Sequence, residues 1–137
     1  MNRRDFRRIA RIRLREAGAL LTSRNFSGSY YLCGYVVECG LKACIAKRTR
    51  RYEFPDRRTV NERYTHDLER LVRVAGLALD LENEMAADPA FATNWGIVKD
   101  WTEESRYQVF DRAQATAPYE AVTDADHGVL RWLMRFW

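Results

Sequence analysis

Glu38 and Lys42 are the charges most in need of a chemical reason, because they sit inside the largely apolar stretch SGSYYLCGYVVECGLKACIAKR, residues 27–48. On a 3.6-residue period Tyr31, Tyr35, Glu38 and Lys42 share one face, while Tyr30, Val37, Leu41, Cys44 and Ile45 line an adjoining apolar one. A Glu placed four residues before a Lys is spaced and ordered for an ion pair along a helix. Two readings fit: a structural pair whose lysine snorkels to the surface, or a polar spot in a groove between helices that receives a ligand or orders a dimer. His66 and His127 are the two side chains suited to proton transfer near neutral pH. Between residues 48 and 63, Arg51, Tyr52, Phe54, Arg57 and Arg58 interleave guanidinium and aromatic faces of the kind that hold phosphate and stack on bases.

The elements that would position these groups are helical. Residues 2–23 place Phe6, Ile9, Ala10, Leu14, Ala17 and Leu21 on one stripe and turn Arg4, Arg7, Arg8, Arg11 and Arg15 away from it. Such a row of like charges repels itself, and is tolerated best beside phosphate, a carboxylate-bearing partner or the chain's own acidic half. Ser27 and Ser29 are candidate N-caps of the second helix, and Lys47 and Arg48 suit its C-terminal end. Pro55 and its neighbours break the pattern and predict a loop of about 15 residues. A third helix is expected from Thr65, capped by that hydroxyl, to Gly76, with His66 in its first turn, where the helix dipole favours a neutral ring. A short helix over 77–87 follows, then a segment opening on Pro89 that sends Trp95, Val98 and Trp101 to the core. A last helix over 118–136 carries His127 along its length. The fold expected is an all-α, up-and-down bundle of four to five helices in one domain over 1–137.

Charge is uneven. Residues 1–24 hold eight arginines against two acids, residues 47–73 nine basic groups against five acids, and residues 74–126 three against eleven. The net +4 is therefore a weaker pointer to nucleic acid than the local basic segments. No apolar run approaches the roughly 20 residues of a membrane helix, and the early arginines interrupt any apolar core of a signal peptide, so a cytoplasmic chain without membrane contact is expected. Cys33, Cys39 and Cys44 fall in one helix, too poorly aligned to pair or to form a metal site, and neither metal nor cofactor is expected.

Taken together, Ala19-Leu20-Leu21, Phe26, Gly34-Tyr35, Glu38, Leu41-Lys42-Ala43, His66-Asp67-Leu68 with Leu71, and Trp101 with Arg106-Tyr107 resemble the HEPN family of prokaryotic helical bundles. The resemblance runs over nearly the whole chain. It implies a homodimer, a minimal nucleotidyltransferase as antitoxin-type partner, and in many members a metal-independent ribonuclease that pairs an Arg with a following His across four to six intervening residues. That spacing is missing here: Thr59, Val60 and Asn61 stand where the Arg would precede His66, with Arg58 one step too far.

Three functions follow from the resemblance. In the first, a non-catalytic module of a toxin–antitoxin-like or defence system binds a nucleotide, RNA or a protein partner in a groove lined by Tyr31, Glu38, Lys42, His66, Arg106 and Tyr107. In the second, a diverged ribonuclease uses His66 as acid and base, with Arg58, Arg63 or Arg106 clamping phosphate. The third is a structural dimer, for which Trp132, Leu133, Phe136 and Trp137 suit either an interface or a core.

Overall fold

The computed structural model describes residues 1–49 and 65–137, and within them the chain is helical with no strand. Its helices are α1 (Arg3–Thr22), α2 (Phe26–Arg48), α3 (Leu68–Val74), α4 (Ala78–Ala87), α5 (Pro89–Val98), a 3₁₀ turn (Glu103–Tyr107), α6 (Arg112–Thr123) and α7 (Val129–Met134). Among the described residues the seven α-helices exceed the four or five expected, in part because the segment over 118–136 is two helices. An all-α bundle is nonetheless the architecture. Most of the predicted loop, with Arg58 and Arg63, lies outside the described residues.

α2 is the axis of the bundle and is touched by α1, α3, the 3₁₀ turn, α6 and α7. A helix packed on so many sides must be apolar around most of its circumference, and Cys33, Val36, Val37, Leu41, Ala43, Cys44 and Ile45 are all buried. Burial pushes the thiols of Cys33 and Cys39 up to about 12 and that of Cys44 to about 11. These cysteines are core residues held as thiols, not nucleophiles.

α1 opens on a capping box, in which Asn2 Oδ1 accepts from the Asp5 amide and Asp5 Oδ2 accepts from the Asn2 amide, both at 3.0 Å. It buries Ala10 and Ala17 completely, with Phe6, Ile9 and Leu14 packed against the core. Arg24 adopts φ 65° just past its end, so that the Asn25 amide reaches the Leu20 carbonyl at 2.8 Å and α2 can fold back on α1.

The two serines expected to cap α2 are used otherwise. Asn25 occupies the cap position, Ser27 Oγ accepts from the Phe110 amide at 2.9 Å, and the buried Ser29 hydroxyl donates to the Ala17 carbonyl at 2.9 Å. Both hydroxyls thereby tie α2 to its neighbours. Thr65 is likewise not the cap of α3: Asp67 is, accepting from the Arg70 amide at 3.0 Å, and His66 stands outside the helix. Gly76 does end α3. Its φ of 70° is the left-handed conformation that closes the last turn, with the Leu77 amide on the Val72 carbonyl at 3.0 Å.

The predicted helix over 118–136 is two helices. α6 starts earlier, at a second capping box between Asp111 and Gln114, and carries Pro118 inside it. It stops at Thr123, where Asp124 Oδ1 accepts from the amides of Asp126 at 2.9 Å and His127 at 2.7 Å. His127 therefore sits in a turn, its ring Nδ1 2.7 Å from Asp88 Oδ2, while Asp88 Oδ1 caps α5 through the Phe91 amide.

That contact raises the proton affinity of His127 and lowers that of Asp88, each chiefly through the hydrogen bond between them. Because folded His127 holds its proton more tightly than the unfolded chain does, its contribution is complete below about pH 6.5 and fades as pH rises through the folded value. Asp88 ionises more readily when folded, so the contribution also fades as pH falls below about 4. The urea midpoint of His127→Gln is expected to trail the parent most between about pH 4 and 6.5, and to meet it in alkali. A gap that stays constant with pH would show that the pair contributes nothing through its charge.

Trp132, Leu133 and Trp137 are buried in the chain's own core, with Phe136 packed on them. They are not a free apolar surface for a second subunit.

Candidate functional site

The polar face of α2 is real, and one of its charges is buried. Glu38 has 2% of its side chain exposed and Lys42 14%, with Lys42 Nζ donating to Glu38 Oε1 at 2.6 Å. Lys42 emerges at the margin, as a snorkelling side chain does.

His66 completes the Glu38 site from the stretch before α3. Its Nδ1 lies 3.0 Å from both Glu38 carboxylate oxygens, and its Nε2 lies 3.0 Å from Glu103 Oε2 on the 3₁₀ turn. A neutral imidazole has one N–H and one lone pair, so it can donate to only one of the two carboxylates. His66 lies between two carboxylates and outside α3, not in the helix's first turn as expected. Once His66 is displaced from the helix, the two carboxylates set its environment.

The 3₁₀ turn is held over α2 by Trp101, which is 5% exposed and whose indole lies directly on Gly34. A side chain at residue 34 would occupy the place of that ring. Tyr31 lies beside it, 5.9 Å from Trp101 and 6.2 Å from Tyr35 between ring centroids. Arg106 and Tyr107 sit at the outer end of the 3₁₀ turn, both exposed, with the guanidinium 4.9 Å over the Tyr107 ring. Its charge is reinforced first by a hydrogen bond to Tyr107, and further by Glu103 and Tyr31.

Of the sequence candidates, then, Glu38, Lys42 and His66 meet directly. Tyr31 flanks them across Trp101, while Arg106 and Tyr107 stand at the rim. Arg58 and Arg63 are outside the described residues. Glu103 was missed. Its only sequence signal is a place two residues after Trp101, and nothing local says that it faces a histidine 37 positions earlier.

Beside this cluster a cleft of about 390 Å³ is lined by Thr65, His66, Asp67, Glu69, Lys99, Asp100, Trp101, Thr102, Glu103 and Glu104. Five of these are carboxylates. Lys99, 3.7 Å from Asp100 and 4.0 Å from Glu69, offsets part of that charge. The cleft favours a cationic group and opposes a phosphate.

Among the described residues no helix is long and apolar enough to cross a membrane. No family model, curated protein or solved structure matches this chain.

Proposed function

We propose that the chain is a non-catalytic, HEPN-like binding module of a toxin–antitoxin-like or defence system, whose acidic cleft takes a basic segment of a protein partner. The observation that carries this reading is the double engagement of His66. A general base must have a free lone pair to take the proton of a ribose hydroxyl, and both ring nitrogens of His66 lie 3.0 Å from carboxylates. Lys42, the nearest cation on α2, is committed to Glu38. Glu103, one of the two carboxylates on the histidine, also lines the cleft with Asp67, Glu69, Asp100 and Glu104, and together these five give it a preference for Lys or Arg side chains. The resemblance supplies the partner class, a minimal nucleotidyltransferase, and a homodimeric arrangement.

The test has two arms. Purified protein is expected to leave generic RNA intact, and cleavage that disappears in His66→Ala while the fold survives would overturn the reading in favour of a diverged ribonuclease. A Lys/Arg-rich peptide is expected to raise the melting temperature of the parent, and to lose that effect when Glu103 and Glu104 are both changed to Gln.

A further inference from the structure

The arginines of α1 form a second charged surface, built from other elements. Arg4, Arg8, Arg11 and Arg15 follow one another at intervals of four, three and four, so they fall on one face of α1 over a rise of about 16 Å. All four are exposed, and among the described residues none has an ion-pair partner. On the same helix Arg13 does have one, Glu16 at 2.6 Å. The acidic stretch over 74–126 provides no counter-ion to the row, so among the described residues nothing neutralises this charge.

We propose that this row is a docking strip for the sugar–phosphate backbone of a nucleic-acid duplex, bound without reading its bases. This goes beyond the cleft and does not depend on it. Four guanidinium groups in a line match a polyanion whose charges also recur along a line. Beside the row, Arg3 donates to the Trp137 carbonyl at 2.6 Å and the Arg7 guanidinium lies over the Trp137 ring at 5.6 Å; of the row itself, Arg11 rests on the same ring at 5.1 Å, its charge still without an acidic partner among the described residues.

The rest of the helix narrows the occupant. A bilayer-seeking helix inserts its apolar face, but on α1 that face is spent on the core through Ala10 and Ala17. Single strands are gripped by aromatic side chains that stack on bases, and the one aromatic residue of α1, Phe6, is packed against the core. A backbone contact to paired strands needs neither.

The experiment is fluorescence anisotropy of the full chain with a labelled random-sequence DNA duplex of about 20 base pairs over a salt series from about 50 to 200 mM. Binding is expected to weaken with salt at a log–log slope of about −3 to −4, as four phosphate contacts require. Changing all four arginines to Gln is expected to weaken binding at least about tenfold at low salt and to flatten the slope, whereas changing all four to Lys keeps both. Circular dichroism confirms that each variant is folded. If the Gln variant does not fold, the salt slope of the parent and the Arg4→Gln/Arg8→Gln pair, expected to flatten it by about half, carry the test.

Absence of binding at low salt, or a folded Gln variant that binds like the parent, overturns the proposal. So does competition by polyglutamate or anionic vesicles as effective as that of unlabelled duplex. His66→Ala is expected to leave duplex binding unchanged, so the cleft and the strip can fail separately.

Discussion

Glu38→Ala is expected to destabilise the fold by about 3–5 kcal/mol, because it leaves Lys42 and His66 without the carboxylate that both contact. For a chain of this size that corresponds to a fall in Tm of roughly 10–20 °C. The cost comes less from the lost attraction than from a cation stranded at the edge of the core. It follows that Glu38→Leu combined with Lys42→Met, which removes both charges and keeps the volume, should be more stable than Glu38→Ala alone. His66→Ala should cost far less than Glu38→Ala, since 40% of its side chain is exposed. Urea unfolding of the four proteins measures the set. A double variant less stable than Glu38→Ala would mean that the pair contributes net stability in its own right.

Gly34→Ala is the second large effect, expected to cost about 1–3 kcal/mol by overpacking and to displace Trp101. The added methyl would overlap the indole, and α2 cannot retreat because other helices hold its remaining sides. The displaced ring would carry the 3₁₀ turn with it and draw Glu103 away from His66, so the change should also weaken binding of a basic peptide in the cleft. The change that Gly34→Ala makes in tryptophan fluorescence and near-ultraviolet circular dichroism, and its loss in a Trp101→Leu background, separates the movement of Trp101 from the signals of the other three tryptophans. Trp101→Leu in the same chain opens the space the methyl needs, so the double variant should cost less than the two single changes added together. Strict additivity would show that residue 34 and the indole do not compete for space.

These two sites also mark how far the amino-acid sequence is legible. Whatever a short stretch dictates by itself is readable: the stripe of α1, the apolar girth of α2, Pro89 opening α5, and Gly76 closing α3. The Glu38–Lys42 pair belongs to this group, since both charges lie on one helical turn. Two of the cap assignments failed because Ser27 and Ser29 have partners, Phe110 and Ala17, that become neighbours only once the helices pack. The split between α6 and α7 was missed for a local reason. Asp124 folds the turn through its own side chain, and a helical reading of the apolar positions runs straight across it. Glu103 and the double engagement of His66 needed the 3₁₀ turn to be laid on α2, a tertiary fact that no spacing encodes.

The position of α2 at the centre of the bundle has a consequence for amide hydrogen exchange. With neighbours on five elements, the α2 backbone can meet solvent only when the whole fold opens, so its slowest amides should exchange at a rate that reports global stability. α4 is packed chiefly on α5, buries only Leu81, and is tied to the end of α7 by the pair that Glu84 makes at the surface with Arg135, the residue after that helix. Its amides should exchange through local fraying, ahead of those of α2 and insensitive to changes at Glu38.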